Sequence, residues 1–275
     1  MPEGDTVYRA AARLRGVLEG QVLTSTEFRV PCYATVDLSG RRLDAIETHG
    51  KHLVFWIGDV GIWTHLMMEG RWRTYRPGAR WDAPAHAARC VLTTKTVQVV
   101  GFDLGFVRVL PRDEVVARLA HLGPDPLRDD WDASLAHHNL TAQGDRDLGL
   151  ALLDQSLIAG LGNVYRSEVC FLARLHPRAP VSTLTSGDID SVVRLAERLL
   201  VLNKDRAARN TTGNAGGSPL WVYGRARRPC LRCRTRIVHE HLGDPRLLRG
   251  TVGGDSLEPV ERDLYWCPTC QPDLT

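Results

Sequence analysis

The sequence has no apolar run near the ~18 residues that a membrane-spanning helix needs. A transmembrane helix is therefore excluded. Its first residues, MPEGDTVYRA, have neither a basic n-region nor an apolar h-region, so they do not read as a signal peptide. The expected compartment is the cytoplasm. The excess of charge is small: net +3 over 275 residues does not by itself announce a nucleic-acid partner. Lysine is almost absent, at Lys51, Lys95 and Lys204 only, so the basic residues are nearly all arginine. That bias can come from genome composition and carries little functional weight. What is present is enough apolar residue, 43%, to bury cores, in a chain long enough for two domains of ordinary size.

The periodicity divides the chain. GDTVYRAAARLRGVLEG places Val7, Ala10, Ala11, Leu14 and Leu18 at helical spacing, with Gly20 as a stop. Asp5 or Thr6 is the expected cap, and Pro2 and Glu3 form an exposed lead-in. From Gln21 to about Leu110 the pattern is that of strands. HLVFWI and IWTHLMM, parted by GDVG, read as a hairpin, and RCVLTT, VQVVGFDL and VRVL follow. Short strands at this spacing predict an antiparallel sandwich. HLGPDPLRDDW is a proline-rich break. Beyond it the chain reads helical to Leu202, with a helix, a tight turn AGLGN and a second helix capped by Asn163. Tyr165, Val169 and Leu172 are expected on its buried face. The N–H groups of such a turn suit an anion. KDRAARNTTGNAGGSP then reads as a flexible loop.

Of the seven cysteines, Cys32, Cys90 and Cys170 read as small buried hydrophobes. The other four form CLRC (Cys230, Cys233) and CPTC (Cys267, Cys270), the pattern of a four-thiolate zinc site in a reducing compartment. The segment between the pairs is longer than usual, and GDPRLLRGTVGGDSLEPVE reads as an inserted loop. His239 and His241 precede it and are expected to be solvent-exposed rather than zinc ligands. RARRPCLRCRTR gathers arginines whose forks suit phosphate oxygens, although a solvated basic surface would look the same.

The N-terminus admits two readings. Pro2, Glu3 and Asp5 suit a helix start, where proline is tolerated and acids meet the positive end of the dipole. Alternatively, loss of Met1 turns Pro2 into a free secondary amine. With an ordinary α-amino pKa of about 7.7–8.0, part of it is neutral and nucleophilic at pH 7. Attack on an aldehyde-like carbon gives an iminium ion, and Glu3 could move the protons this requires.

Taken together, PEG at the start, GKHL at 50–53, THLMMEG at 64–70, LLDQSLIAGLGNVYRSEV at 152–169, VYGR at 222–225 and the paired cysteines resemble the formamidopyrimidine-DNA glycosylase / endonuclease VIII family. The endonuclease VIII branch is the nearer. The match runs from end to end, and its long middle motif is highly specific. The resemblance implies an α+β fold: an N-terminal antiparallel β-sandwich with flanking helices (1–125), a helix–two-turn–helix region (126–224) and a C-terminal zinc ribbon hairpin (225–275). It implies excision of oxidised bases followed by strand cleavage through β,δ-elimination. Pro2 matches the nucleophile and Glu3 the general acid/base. Lys51 matches a lysine that holds phosphate beside the lesion. Met68 matches the wedge that fills the gap left by a flipped base, against the alternative of a strand end in the core. Asn163 and Arg262 match phosphate-binding residues. Glu261 stands where the family usually has glycine, which weakens the match at Arg262. FDLGFVRV lacks the arginine–phenylalanine pair of the formamidopyrimidine branch, so oxidised pyrimidines are expected over 8-oxoguanine.

The resemblance further implies one structural Zn2+ on Cys230, Cys233, Cys267 and Cys270. The expected partner is double-stranded damaged DNA, met by a monomer without membrane association or small-molecule cofactor and associated with the nucleoid when on DNA. Small tautomerases also use an N-terminal proline, but those chains are short and nothing in them explains a zinc ribbon. A non-catalytic DNA-binding paralogue is the other reading.

Overall fold

The computed structural model describes residues 2–214, 216–250 and 257–273, with 244–250 and 257–260 described through their backbone alone. The chain divides into two compact units, Met1–Leu122 and Gly123–Thr275.

The first unit opens with α1 (Gly4–Leu18), followed by β1 (Ser25–Phe28), β2 (Ala45–His49), β3 (His52–Ile57), β4 (Val60–His65), β5 (Arg71–Tyr75), β6 (Ala88–Thr93), β7 (Gln98–Phe102), β8 (Phe106–Pro111) and α2 (Arg112–Leu119). The strands form two antiparallel four-stranded sheets, β1-β6-β7-β5 and β2-β3-β4-β8. One core joins them: Phe28, Leu92 and Val99 of the first sheet meet Leu53, Phe55 and Ile62 of the second and Val7, Ala11, Leu14 and Leu18 of α1. Removing such side chains from water contributes about 1.5–3 kcal/mol each. The other face of β3 and β4 is also covered, since Val54, Trp56 and Trp63 pack with Val115 and Leu119 of α2. Burial on both faces explains why HLVFWI is a continuous apolar run rather than an alternating one.

The second unit contains α3 (Ala133–Thr141), α4 (Leu148–Ala151), α5 (Asn163–Ala173), α6 (Ser186–Asn203), β9 (Val238–Gly250) and β10 (Leu257–Trp266). Leu140, Leu161, Tyr165, Val169, Val192 and Leu199 meet in its helical core. α6 begins with a capping box, in which Thr185 and Asp188 satisfy each other's backbone N–H groups. Strands β9 and β10 pair antiparallel, with a register shift at Pro259/Val260.

Several sequence expectations are corrected. The first helix is capped by Glu3, without a side-chain cap bond, rather than by Asp5 or Thr6. Glu3 is fully buried and Pro2 half-buried, so the lead-in is not exposed. Asn163 is the first helical residue of α5, and its N-cap is Gly162. That helix is buried from Asn163 to Phe171 on every side rather than along one face, because it runs through the middle of its unit. GDPRLLRGTVGGDSLEPVE is not a loop throughout: its two ends continue strands β9 and β10, and residues 251–256 lie outside the described residues. Cys32 is exposed, whereas Cys90 and Cys170 are buried as expected. Arg225 is buried rather than part of a basic surface, donating to the carbonyls of Trp221 and of Pro229.

Candidate functional site

In the first unit the N-terminal residues and the hairpin of β2 and β3 share one helix. α1 packs on β2 and β3. Arg15 Nε donates to the Ile46 carbonyl at 2.7 Å, and Glu19 accepts from Ile46 N at 2.6 Å. Pro2 and Glu3 stand at the start of this anchored helix, where the Glu3 carbonyl accepts from Thr6 N and Val7 N at 2.9 and 3.1 Å. The Glu3 side chain is shut off from bulk water. Lys51 lies in the two-residue turn between β2 and β3, flanked by the register pair His49 and His52. Gly50 leads the turn at φ +58, a backbone conformation that glycine adopts without a steric penalty.

Met68 lies just beyond β4 and is 65% exposed, with Met67 at 51%. The two methionines therefore do not end a strand in the core. Their turn is built on His65. The ring accepts from Met67 N through Nδ1 at 2.8 Å, and Met67 is held in the left-handed region at φ 53. Gly105 makes room for it, since a Cβ there would fall 1.9 Å from Met67 Cγ. His52 similarly accepts from Trp63 Nε1 through Nδ1 at 3.0 Å. Both rings are thus fixed as acceptors at Nδ1.

Burial, then the charges of His65, His49, His121 and Lys51, push His52 down to about 3. Burial, then Lys51, pushes His65 down to about 4. Both folded values lie below the ordinary histidine value of 6.5, so the unfolded chain binds protons more readily. The stability these neutral rings carry is complete above pH 6.5 and is lost as pH falls towards 4 and 3. Urea denaturation at pH 7 and pH 5 is expected to give a loss of about 2 kcal/mol per ring, about 4 kcal/mol in all, at the lower pH. His52→Phe and His65→Gln should each remove about half of that dependence. A wild-type profile that is level over this interval would contradict the two neutral imidazoles.

In the second unit, the turn before α5 is tied by Gln155. Its amide donates to the carbonyls of Leu153 and Leu161, both at 2.9 Å, and accepts from Gly160 N at 3.0 Å. Asn163 is presented by this turn, 6% exposed, with its Oδ1 buried and without a hydrogen-bond partner among the described residues. One turn further along α5, the fully buried Glu168 carboxylate accepts from the N–H groups of Trp221, Val222 and Tyr223 at 2.8–2.9 Å, and from the Thr211 hydroxyl. Burial pushes its carboxyl up, while these four hydrogen bonds pull it down. They pin the segment expected to be flexible. That segment also has bonds of its own, from Thr211 N to the Pro219 carbonyl and from the Thr212 hydroxyl to the Ser218 carbonyl, each 2.8 Å.

Arg262 is exposed on β10, opposite Leu242, and the neighbouring Asp263 carbonyl accepts from buried Arg166 of α5. The four cysteines of the two pairs converge, their sulfurs all within 4.8 Å of one another. Cys230 and Cys270 are 3.9 Å apart and Cys233 and Cys267 3.4 Å, too far for disulfides. Four thiolates at ~2.3 Å from a tetrahedral zinc ion stand ~3.8 Å from one another. The donor set and its spacing therefore fit a structural Zn2+. Gln271 locks the second pair: it accepts from Cys267 N and donates to the Leu175 carbonyl, both at 2.9 Å.

Pro2, Glu3, Lys51 and Met68 thus share the first unit, and Asn163, Arg262 and the cysteines the second. Gln155, Glu168, Gln271 and His65 were not singled out from sequence. Gln155 and Glu168 inside the apolar LLDQSLIAGLGNVYRSEV were the only signal, and Glu168 matters through partners distant along the chain.

The family model for the formamidopyrimidine-DNA glycosylase N-terminal domain matches residues 1–105, and that for the formamidopyrimidine-DNA glycosylase H2TH domain matches residues 122–210. The chain is 46% identical over 273 residues to a probable endonuclease 8 2 of Streptomyces coelicolor, covering 98% of this chain and 94% of that protein. It is 47% identical over 272 residues to the DNA-(apurinic or apyrimidinic site) lyase Nei2 of Mycolicibacterium smegmatis, covering 98% of this chain and 99% of that one. Among solved structures, formamidopyrimidine-DNA glycosylase of Lactococcus lactis, non-covalently bound to DNA containing an abasic site, superposes with a TM-score of 0.77 at 25% identity, over 98% of this chain and 100% of that one.

Proposed function

Because this chain belongs to the formamidopyrimidine-DNA glycosylase / endonuclease VIII family, we propose that it removes oxidised pyrimidines from double-stranded DNA and cleaves the resulting abasic site by β,δ-elimination. The observation that carries this reading is the Pro2–Glu3 pair at the start of α1, in a chain that matches an abasic-site lyase along 98% of its length.

The chemistry follows from an amine beside a buried carboxyl. With Met1 removed, the neutral Pro2 nitrogen attacks C1′ and the N-glycosidic bond breaks. The departing base takes a proton. Glu3, secluded from water, delivers a proton to the sugar ring oxygen as the C1′–O4′ bond opens, leaving an iminium between Pro2 and C1′. The cationic nitrogen acidifies the C2′ hydrogen. Its loss expels the 3′ phosphate, and a second elimination expels the 5′ phosphate. Lys51 holds phosphate beside the lesion, and Asn163 and Arg262 hold backbone phosphates. Met68 enters the stack vacated by the flipped nucleotide. The zinc-bound cysteines hold the base of the hairpin that carries Arg262.

The pyrimidine preference rests on the turn between β7 and β8. Only Asp103, Leu104 and Gly105 separate these strands, and Asp103 is paired with Arg71 at 2.8 Å. Phe106 packs edge-on against Trp63, with centroids 4.9 Å apart. This turn therefore has no free arginine or phenylalanine to fill the gap opposite an extruded purine. Nor does the Ala207–Pro219 segment contain an aromatic residue to stack on one. Saturated pyrimidines stack poorly and cost less to extrude. Single-turnover cleavage of matched duplexes is expected to be at least about tenfold faster for dihydrouracil than for 8-oxoguanine, within the few kcal/mol of flipping itself. Faster 8-oxoguanine removal would overturn the preference and leave the proline chemistry standing.

A further inference from the structure

Among the described residues, a second group of metal-ligating side chains lies outside the cysteine cluster. It consists of His239, His241 and Asp263, whose donor atoms all fall within 4.8 Å of one another. Asp263 stands opposite His241 in the ladder, and His239 stands opposite Tyr265. Side chains alternate along a strand, so His239 and His241 share one face of β9 and Asp263 and Tyr265 the matching face of β10. The other face carries Leu242 and Leu264 into a small core with Leu150.

The three groups converge on one atom. His239 Nε2 lies 2.9 Å and His241 Nδ1 3.6 Å from Asp263 Oδ1. Elsewhere among the described residues carboxylates meet guanidinium groups, as Asp59, Asp103 and Asp154 do, or a single imidazole, as Asp190 and Asp273 do. Here one carboxylate meets two imidazoles. The donors are also held in place. Tyr265 stacks on the His239 ring at 4.5 Å and 20°. The Asp263 carbonyl accepts from Arg166, and the His241 carbonyl accepts from Arg178 at 3.4 Å.

We propose that His239, His241 and Asp263 form a second metal site, for a divalent transition ion of the zinc class, which fastens β9 to β10. Two imidazoles and a carboxylate suit Zn2+, Co2+, Ni2+ or Cu2+, whereas Mg2+ and Ca2+ favour oxygen ligands throughout. Nitrogen and oxygen at ~2.0–2.2 Å from such an ion stand ~2.9–3.4 Å apart. The His239–Asp263 pair already has that separation, and His241 stands a few tenths of an ångström beyond it from Asp263. On binding, the neutral His239 ring carries its single proton on Nδ1, so that the lone pair of Nε2, the atom now hydrogen-bonded with Asp263, faces the ion. Three protein ligands leave a coordination position to water, so this ion exchanges where the cysteine-bound one does not. The inference is independent of the glycosylase reading, because it concerns only the hairpin.

The test uses untagged full-length protein, washed with EDTA until only the cysteine-bound zinc is retained. Calorimetric titration with Zn2+ is expected to show one further equivalent. Saturating Zn2+ should raise the unfolding temperature. Titration with Co2+ should give weak d–d bands without a thiolate charge-transfer band. The His239→Gln/His241→Gln double variant should retain its first zinc and its circular dichroism but lose the second equivalent and the thermal shift. His241→Gln alone should weaken the second equivalent at least about tenfold, as loss of one of three ligands requires. Absence of a second equivalent in the wild type, or its persistence in the double variant, would overturn the proposal.

Discussion

Protein carrying Pro2→Gly, or retaining Met1, is expected to lose borohydride-dependent covalent capture on abasic-site DNA by at least about 10³-fold, the scale on which removal of a nucleophile acts. DNA affinity should change no more than about threefold, since phosphate contacts set most of it. Met1 would convert the Pro2 nitrogen into an amide, whose lone pair is delocalised and does not attack carbon. Pro2→Gly leaves a primary amine, but one without the ring that fixes φ and holds the nitrogen in place at the start of α1. Glu3 is already fully buried at the helix cap and would be undisturbed. The assay is quantitation of the cross-linked species after reduction, beside a fluorescence-anisotropy titration on the same oligonucleotide. Undiminished capture by Met1-retaining protein would refute Pro2 as the nucleophile. Absence of capture by the wild type would favour a DNA-binding protein without lyase chemistry.

Cys267→Ser is expected to have the second large effect. In EDTA-washed protein, zinc content should fall from one ion per chain to a small fraction of that, and DNA affinity by at least about tenfold. Structural zinc sites bind with an apparent ~10–16 kcal/mol, comparable with the ~5–15 kcal/mol that holds a whole domain folded. Cys267 is fully buried at the end of β10, packed with Phe171, Val222 and Ile237. A serine there would bury a hydroxyl and remove a thiolate from the tetrahedron. The apolar contacts of the hairpin itself, Leu242 and Leu264 against Leu150, are few. Mass spectrometry under native conditions and anisotropy read the two losses. Cys32→Ser, at an exposed position in the other unit, should leave both unchanged. Full zinc occupancy in Cys267→Ser would rule out the four-thiolate site.

Much of the architecture was legible in local pattern because the forces that set it are local. A run such as HLVFWI is buried whichever sheet it joins, and alternation and turn residues fix where strands begin and end. Two pairs of cysteines, each pair with two residues between them, together form a strong pattern for a four-thiolate metal site, and the structure brings those four sulfurs together. What the pattern misjudged were positions whose environment comes from elsewhere in the chain. Glu3 follows an N-terminal proline and reads as exposed, yet it is fully buried. The glycine-rich segment after Lys204 reads as flexible because glycine is costly to order. It is pinned because Glu168, more than forty residues earlier, offers one carboxylate to three consecutive backbone N–H groups and a threonine hydroxyl.

The sequence alone determined the family, the antiparallel strands and helices, the cysteine ligands and the chemical types present at Pro2, Glu3 and Lys51. These follow from residue identity and short spacing. Only the tertiary structure decided that the Met67–Met68 turn stands out from the core on a half-buried His65. It also decided that α5 is buried on every side, and that His239, His241 and Asp263 meet across two strands. Burial and convergence depend on which distant segments the chain packs together, and local periodicity carries no record of that choice.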